Sequence, residues 1–318
     1  MNIAQVANEN KILEIQVGSH LYGTNTPTSD FDFSGIFLPT KELVFGFQRV
    51  EEVNLSIVDK DDAGKNTKDA VDRKLYEFRK FVKLAIDNNP NIIEQLFVNE
   101  PNIVYINEAG RALLAERDKF PHKGLVKKFK GYAFSQKHKM VIRTDNYHEL
   151  DSAFNYLKDY AGQKEILVEL KNKRLPFIKF NRDYCVIGDL NLQKGIYVKK
   201  AVGMIEERLS KVGNRKNLIT KYGFDTKFAS HLIRLLLEGQ ELINTGKIEF
   251  PLSYSETILD IKQGKWTIKD VLDYADELEN EIDAAVEKSA LPNKPRLAEL
   301  EQFAVNFLEN HLTRKNNL

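Results

Sequence analysis

The chain has a single cysteine, Cys185, among its 318 residues. One thiol cannot build an intrachain disulfide framework or a cysteine-based zinc site, and it suits a reducing compartment. No run of about 18 uninterrupted apolar residues is present, which is the length a bilayer-spanning helix needs. Charges interrupt every apolar stretch of MNIAQVANENKILEIQVGS, so this segment has no secretory apolar core. A cytoplasmic protein without a membrane partner is expected. Net charge is also missing. Lys and Arg total 47 and Asp and Glu total 46, so the whole-chain charge of +1 names no partner and local clusters must do so. No internal repeat or low-complexity tract is visible. The composition, 42% apolar and 29% charged, is that of a globular chain, and its length suits two domains of ordinary size.

The first third alternates strand and helix patterns. Ile12 to Val17 reads as a half-buried strand, followed by a Gly-, Ser- and Thr-rich loop or short helix. A second strand across FDFSGIFL stops at Pro39, and the polar stretch 54–69 reads as an exposed hairpin or loop. A third strand near Ala70 to Leu75 leads into a helix over Tyr76 to Asp87, with Phe78, Phe81, Val82, Ala85 and Ile86 on one stripe. Asn88-Asn89-Pro90 ends it. A short helix at Ile92 to Phe97 and a strand at Ile103 to Ile106 follow. Beyond about residue 120, amphipathic helices dominate, over 122–141, 196–209, 226–243, 268–286 and 295–311, with a small hairpin at 177–187. The expected fold is α+β. A catalytic core in 1–120, a mixed sheet with flanking helices, precedes a mainly helical substrate-binding domain in 121–318.

The chemistry is concentrated in Val17-Gly18-Ser19, ten residues, then Asp30-Phe31-Asp32. Gly18 at a strand end permits a sharp turn. Ser19 then offers a hydroxyl and free backbone N–H groups, a site suited to phosphate. Asp30 and Asp32, two apart on a strand, share a face, with Phe31, Phe33 and Ile36 expected on the other. Two carboxylates on one face repel each other unless a cation lies between them or one is protonated. Two Mg²⁺ ions about 3.5–4 Å apart would relieve that repulsion and clamp a phosphoryl displacement. Separately, the alternatives are a solvated strand face and a plain turn; the combination points to a metal and nucleotide site.

This pattern resembles the signature of polymerase-β-type nucleotidyltransferases. More closely, GSHLYGTNTPTSDFDFSGIFLP resembles the RlaP family, nucleotidyltransferases assigned to RNA repair beside an RNA ligase. The segments DRKLYEFRKFVKLAIDNNPNIIEQLF, KGYAFSQKHKM, KFASHLIRLLLEGQELINTGKIEFP and ALPNKP are similar to that family too, so the resemblance spans most of the chain. It implies a polymerase-β-like core and a third acidic metal ligand. Asp72, in DRKLYEF, fits that place, with Asp69 as the alternative and a helix-start carboxylate as the structural reading of Asp72. Asp30 and Asp32 would then hold both Mg²⁺ ions (Mn²⁺ being a substitute) and Asp72 one. The implied reaction moves a nucleoside monophosphate from a triphosphate such as ATP to an acceptor hydroxyl, an RNA or tRNA 3′ end.

Two basic constellations accompany this motif. From Pro121 to Thr144 there are seven Lys and Arg and no acidic residue. Lys123, Lys127 and Lys130 are spaced to share a helix face, opposite a core stripe of Leu125, Phe129, Tyr132, Ala133, Gln136 and Met140. Lys130 and Lys137, inside the family-like stretch, are the phosphate-binding candidates. Lys227, His231 and Arg234 repeat the same spacing and are candidates for nucleotide contact, or else form a face salt-bridged to acidic helices. The run from Arg208 to Lys221 reads as a flexible loop. Glu94 suggests a supporting role, while His20 and Tyr22 flank the Ser19 turn. Two other readings stay open, nucleotidylation of a partner protein and a non-catalytic nucleotide-binding module.

Overall fold

The computed structural model describes residues 2–27, 29–59, 70–160, 162–211 and 214–314. They fall into two compact units, one of 1–133, 233–259 and 274–318, the other of 134–232 and 260–273. The expected cut near residue 120 is therefore not the one that packing makes. Everything from Ile233 to Leu259 and from Tyr274 onward belongs with the N-terminal part. Residues 60–69, most of the polar segment expected to be a hairpin or loop, lie outside the described residues.

The first unit opens with helix α1 (Ile3–Glu9), capped by the Asn2 side chain accepting from Gln5 N–H. Strand β1 (Lys11–Val17), helix α2 (Ser19–Tyr22), strand β2 (Phe31–Phe37), helix α3 (Lys41–Phe45), strand β3 (Glu52–Asn54) and strand β4 (Val71–Glu77) follow. Helix α4 (Phe78–Ile86) starts where the Glu77 carboxylate caps it, accepting from Lys80 N–H. Asn89 caps helix α5 (Pro90–Ile93), whose proline supplies a preset φ at the first helical position. A 3-10 turn over Glu94–Phe97, strand β5 (Ile103–Ile106) and helix α6 (Glu108–Ala115) complete the N-terminal part.

The five strands form one mixed sheet in the order β3-β4-β2-β1-β5. Strand β2 runs antiparallel to β1 and parallel to β4. Side chains alternate across the sheet, so the register sorts them into two faces. Phe37 and Leu75 join Ala7, Leu43 and Val53 in a cluster on the face that α1 covers. On the opposite face Ser34 donates to Gln95 Oε1 at 2.8 Å, tying β2 to the turn after α5. Ile36 belongs to this second face with Asp32, because both are even-numbered positions of one strand. The expectation that Ile36 opposes the aspartates is corrected accordingly. Phe31, expected to pack, is 45% exposed.

Helix α7 (Leu125–Leu157) is a single helix of 33 residues, longer than the expected 122–141 stripe. Lys123 precedes it, donating its backbone N–H to Pro292 O, and so does not share a helix face with Lys127 and Lys130. The second unit carries three short antiparallel strands, β6 (Lys179–Phe180), β7 (Tyr184–Ile187) and β8 (Leu190–Gln193). Cys185 is fully buried in its core beside Leu150, Leu157, Ile187 and Leu192. Helix α8 (Val198–Ser210) and helix α9 (Asn214–Tyr222) occupy most of the stretch expected to be a flexible loop; Leu209 and Ile219 are core residues there and give those turns an apolar anchor.

Helices α10 (Thr226–Thr245), α11 (Ser255–Lys262), α12 (Ile268–Lys288) and α13 (Leu297–Arg314) complete the chain. The return to the first unit follows from apolar content. Leu235, Leu236, Leu242 and Ile243 of α10 are fully buried, and Phe307 of α13 stacks on Phe78 with centroids 4.6 Å apart. Gly239 lets α10 approach α7, since a Cβ there would lie 3.0 Å from the Phe129 side chain. Among the described residues no helix is long and apolar enough to cross a membrane.

Candidate active site

Strand β1 ends at Val17, and Gly18 follows with φ 71° and ψ −146°, a conformation that favours glycine. This turn brings Ser19 to the start of α2. A Cβ at position 18 would lie 2.5 Å from Asp32 Oδ2. Glycine is thus required twice, once for the backbone and once to leave room for a carboxylate.

The register explains that proximity. Val17 pairs with Asp32 across β1 and β2, and Asp32 pairs with Asp72 across β2 and β4. Paired residues on neighbouring strands share a face, on strands about 4.8 Å apart. Asp30 stands immediately before β2, two positions from Asp32, and it is exposed, as is Asp72. The alternative third carboxylate, Asp69, lies outside the described residues. His20 of α2 stacks on Phe31 at 4.6 Å and 12°, fastening the serine turn to the residue between the two aspartates. His20 Nε2 is buried without a hydrogen-bond partner among the described residues.

The oxygen donors suit a hard divalent cation in kind. Among the described residues, however, no three His, Cys, Asp or Glu side chains converge into a group that would hold a metal ion as they stand. The backbone brings Asp32 and Asp72 side by side.

At the other end of α2 lies a buried ionic cluster. Tyr22 donates its hydroxyl to Glu94 Oε1 at 2.8 Å, and the Arg234 guanidinium sits over the Tyr22 ring at 4.2 Å. Arg234 Nη1 donates to Glu94 Oε2 at 2.9 Å and to both Glu238 oxygens at 2.6 and 2.8 Å. Burial opposes the Arg234 charge, but Glu238, Tyr22 and Glu94 outweigh it and hold its pKa well above the usual value. Burial raises Glu94, with Arg234 and the Tyr22 hydrogen bond acting against it. Glu238 is pushed up to about 8, again chiefly by burial.

Arg234, a candidate for nucleotide contact with Lys227 and His231, is 5% exposed and engaged by two carboxylates, the ion-paired alternative, though its partners are Glu94 and Glu238 rather than α12. The physical reason is that α10 is buried on all sides from 232 to 239, so position 234 has no solvent-facing side. Lys227 is exposed and His231 half-buried. Lys130 pairs with Asp283 at 2.8 Å and reaches Glu279 at 3.9 Å, both on α12. Lys137 is half-buried in the second unit. Of the basic candidates, Lys130 and Arg234 belong to the first unit with Gly18 and Ser19, and Lys137, Lys227 and His231 to the second. Sequence reasoning did not single out Glu238, although its position four residues after Arg234 is a helical ion-pair spacing.

An uncharacterized 38.9 kDa protein of the nrdC–mobD intergenic region of Enterobacteria phage T4 is 27% identical to this chain, over 94% of this chain and 98% of that protein. A nucleotidyltransferase-like protein from Exiguobacterium sibiricum 255-15, known from its crystal structure, matches 98% of this chain and 76% of its own at 11% identity. The TM-score of that match is 0.26, so it carries no argument. The pairing of a glycine–serine turn with register-matched aspartates on a mixed sheet stands on its own geometry. The RlaP family, described as the RNA repair pathway DNA polymerase beta family, matches residues 1–314, and the chain belongs to it.

Proposed function

We propose that this chain is a divalent-metal-dependent nucleotidyltransferase. It moves a nucleoside monophosphate from a nucleoside triphosphate to the hydroxyl at an RNA 3′ end, such as that of a cleaved tRNA. One observation carries the reading: Asp72 and Asp32 are register partners on one sheet face, with Asp32 against Gly18 and Asp30 one strand period away. Family membership supports the reaction class and the RNA context.

In the reaction, the acceptor oxygen attacks the α-phosphorus, the bond to the bridging oxygen of the β-phosphate breaks, and pyrophosphate leaves. The acceptor hydroxyl gives up its proton to solvent. Asp30, Asp32 and Asp72 would hold Mg²⁺, which when bound neutralises phosphate charge and makes the acceptor hydroxyl more acidic. Ser19 and the backbone N–H groups of its turn would orient the triphosphate. The His20–Phe31 stack would keep that turn and the aspartates in fixed relation, the kind of positioning on which phosphoryl transfer depends. An RNA ligase in the same pathway would act on the restored end.

The test incubates the protein with Mg²⁺, labelled nucleoside triphosphates and either total RNA or cell lysate. Label entering RNA is the expected result. Label in a single protein band would overturn the RNA acceptor, and label in neither would overturn nucleotidyl transfer.

A further inference from the structure

The two units differ sharply in charge. The second holds 22 Lys and Arg against 14 Asp and Glu, a net +8, which leaves 25 against 32 and a net −7 in the first. The whole-chain value of +1 hides this segregation. We propose that the face of the second unit around Tyr197, Lys164, Lys199 and Lys200 binds single-stranded RNA, phosphates on the lysines and a base against the tyrosine ring.

These residues, with Gln163, line one open cavity of about 670 Å³. The backbone builds it. Ile166 bridges to Tyr197, Val198 N–H donates to Glu165 O at 2.9 Å, and Lys199 N–H donates to Gln163 O at 3.2 Å. The Gln163 side chain is itself held by the carbonyls of Leu157 and Tyr160. On this fixed platform Tyr197 is 59% exposed while its neighbour Val198 is fully buried. The ring is therefore not consumed by the core. Lys164, Lys199 and Lys200 make no ion pair among the described residues, whereas Lys179, Arg208 and Lys211 nearby in sequence are paired with Glu149, Asp189 and Glu207.

A second aromatic row adjoins the same segment. Tyr156 stacks on Tyr160 at 6.1 Å and 19°, Lys173 lies 5.1 Å over the Tyr160 ring, and the Tyr160 hydroxyl occupies the Glu165 carboxylate at 2.9 Å. Unpaired lysines beside an exposed ring are what a flexible strand with accessible base faces requires; a duplex keeps its base faces stacked. The choice of RNA over DNA rests on the function proposed above.

The test measures fluorescence anisotropy of a labelled 20-nucleotide single-stranded RNA with the full chain, without nucleotide or divalent metal. Replacing Lys164, Lys199 and Lys200 together by Ala should weaken binding tenfold or more and reduce the slope of log affinity against log salt by about 2, three phosphate contacts at about 0.7 each. Tyr197→Ala should weaken single-stranded binding by about tenfold, spare a duplex of equal length, and be rescued by Tyr197→Phe. Unchanged affinity and salt slope in the triple variant would overturn the surface. So would a Tyr197→Ala loss shared equally by single strand and duplex. Binding through this face without any nucleotide transfer would remove the proposed activity and leave the surface standing. Transfer to RNA with fully retained binding in both variants would do the reverse.

Discussion

Helix α2 is only four residues long, yet its two ends meet opposite solutions to the problem of clustered charge. At Ser19 the neighbouring carboxylates Asp30 and Asp72 stay at the surface, with Asp32 half-buried against Gly18. At Tyr22 the carboxylates of Glu94 and Glu238 are buried and share one guanidinium. Exposed carboxylates keep their hydration and remain able to bind something else. Buried ones have exchanged hydration for a fixed partner and can only hold structure. The first set should thus govern activity and the second stability.

The largest separation of the two is expected from Asp30→Ala. Nucleotide transfer should fall about a thousandfold, while the urea midpoint reports a stability change within about 0.5 kcal/mol. A variant that transfers normally would break the comparison at its active end. Arg234→Ala should do the converse, costing about 3–5 kcal/mol by stranding two buried carboxylates. Replacing Arg234, Glu94 and Glu238 together by apolar residues of similar volume should recover most of that loss, and urea denaturation of both variants checks it. If the triple replacement is as unstable as the single one, stranded charge is not the cause.

Gly18→Ala tests the joint between the two regions. Its Cβ would displace the Asp32 carboxylate, so transfer should drop about a hundredfold with about 1–3 kcal/mol of backbone strain, read by kinetics and denaturation on the same preparation. A further test concerns pH. Burial raises Glu238 from 4.5 to about 8 against the pull of Arg234, so ionising it costs more in the folded than in the unfolded chain. Stability from this group is complete below pH 4.5 and is lost as pH climbs through about 8. Glu238→Gln should flatten that decline in denaturation midpoints recorded across the window. An unchanged slope would mean that the carboxyl stays ionised beside Arg234.

Much of the first unit was legible because its signals are local. The alternation of KILEIQV, the stop at Pro39 and the stripe of Phe78, Phe81, Val82 and Ala85 each report on a few neighbouring residues, and β1, β2 and α4 appear where they point. The glycine–serine turn and Asp30-x-Asp32 were visible for the same reason. Strand alternation likewise puts Ile36 on the face of Asp32 and not opposite it. The stretch after Arg208 misled, because Gly and Asn suggested a loop and the burial of Leu209 and Ile219 outweighed them. Arg234 had the spacing of a ligand-binding face. Only the carboxylates of Glu94, 140 residues away, and Glu238 reveal where its charge is spent.

Sequence alone determined the family, the strand and helix periods, and the residue types available for phosphate and metal chemistry, since these depend on spacing along one chain. Tertiary structure decided which carboxylate stands beside Asp32, which arginine is buried, and that α10 to α13 return mainly to the first unit. Those outcomes follow from strand register and from where apolar surface can be covered, which join residues far apart in the chain. The division into an acidic and a basic unit is of the same kind. Its basic excess lies in one continuous stretch, 134–232, with 19 Lys and Arg against 11 Asp and Glu, but packing sets where that stretch begins and ends.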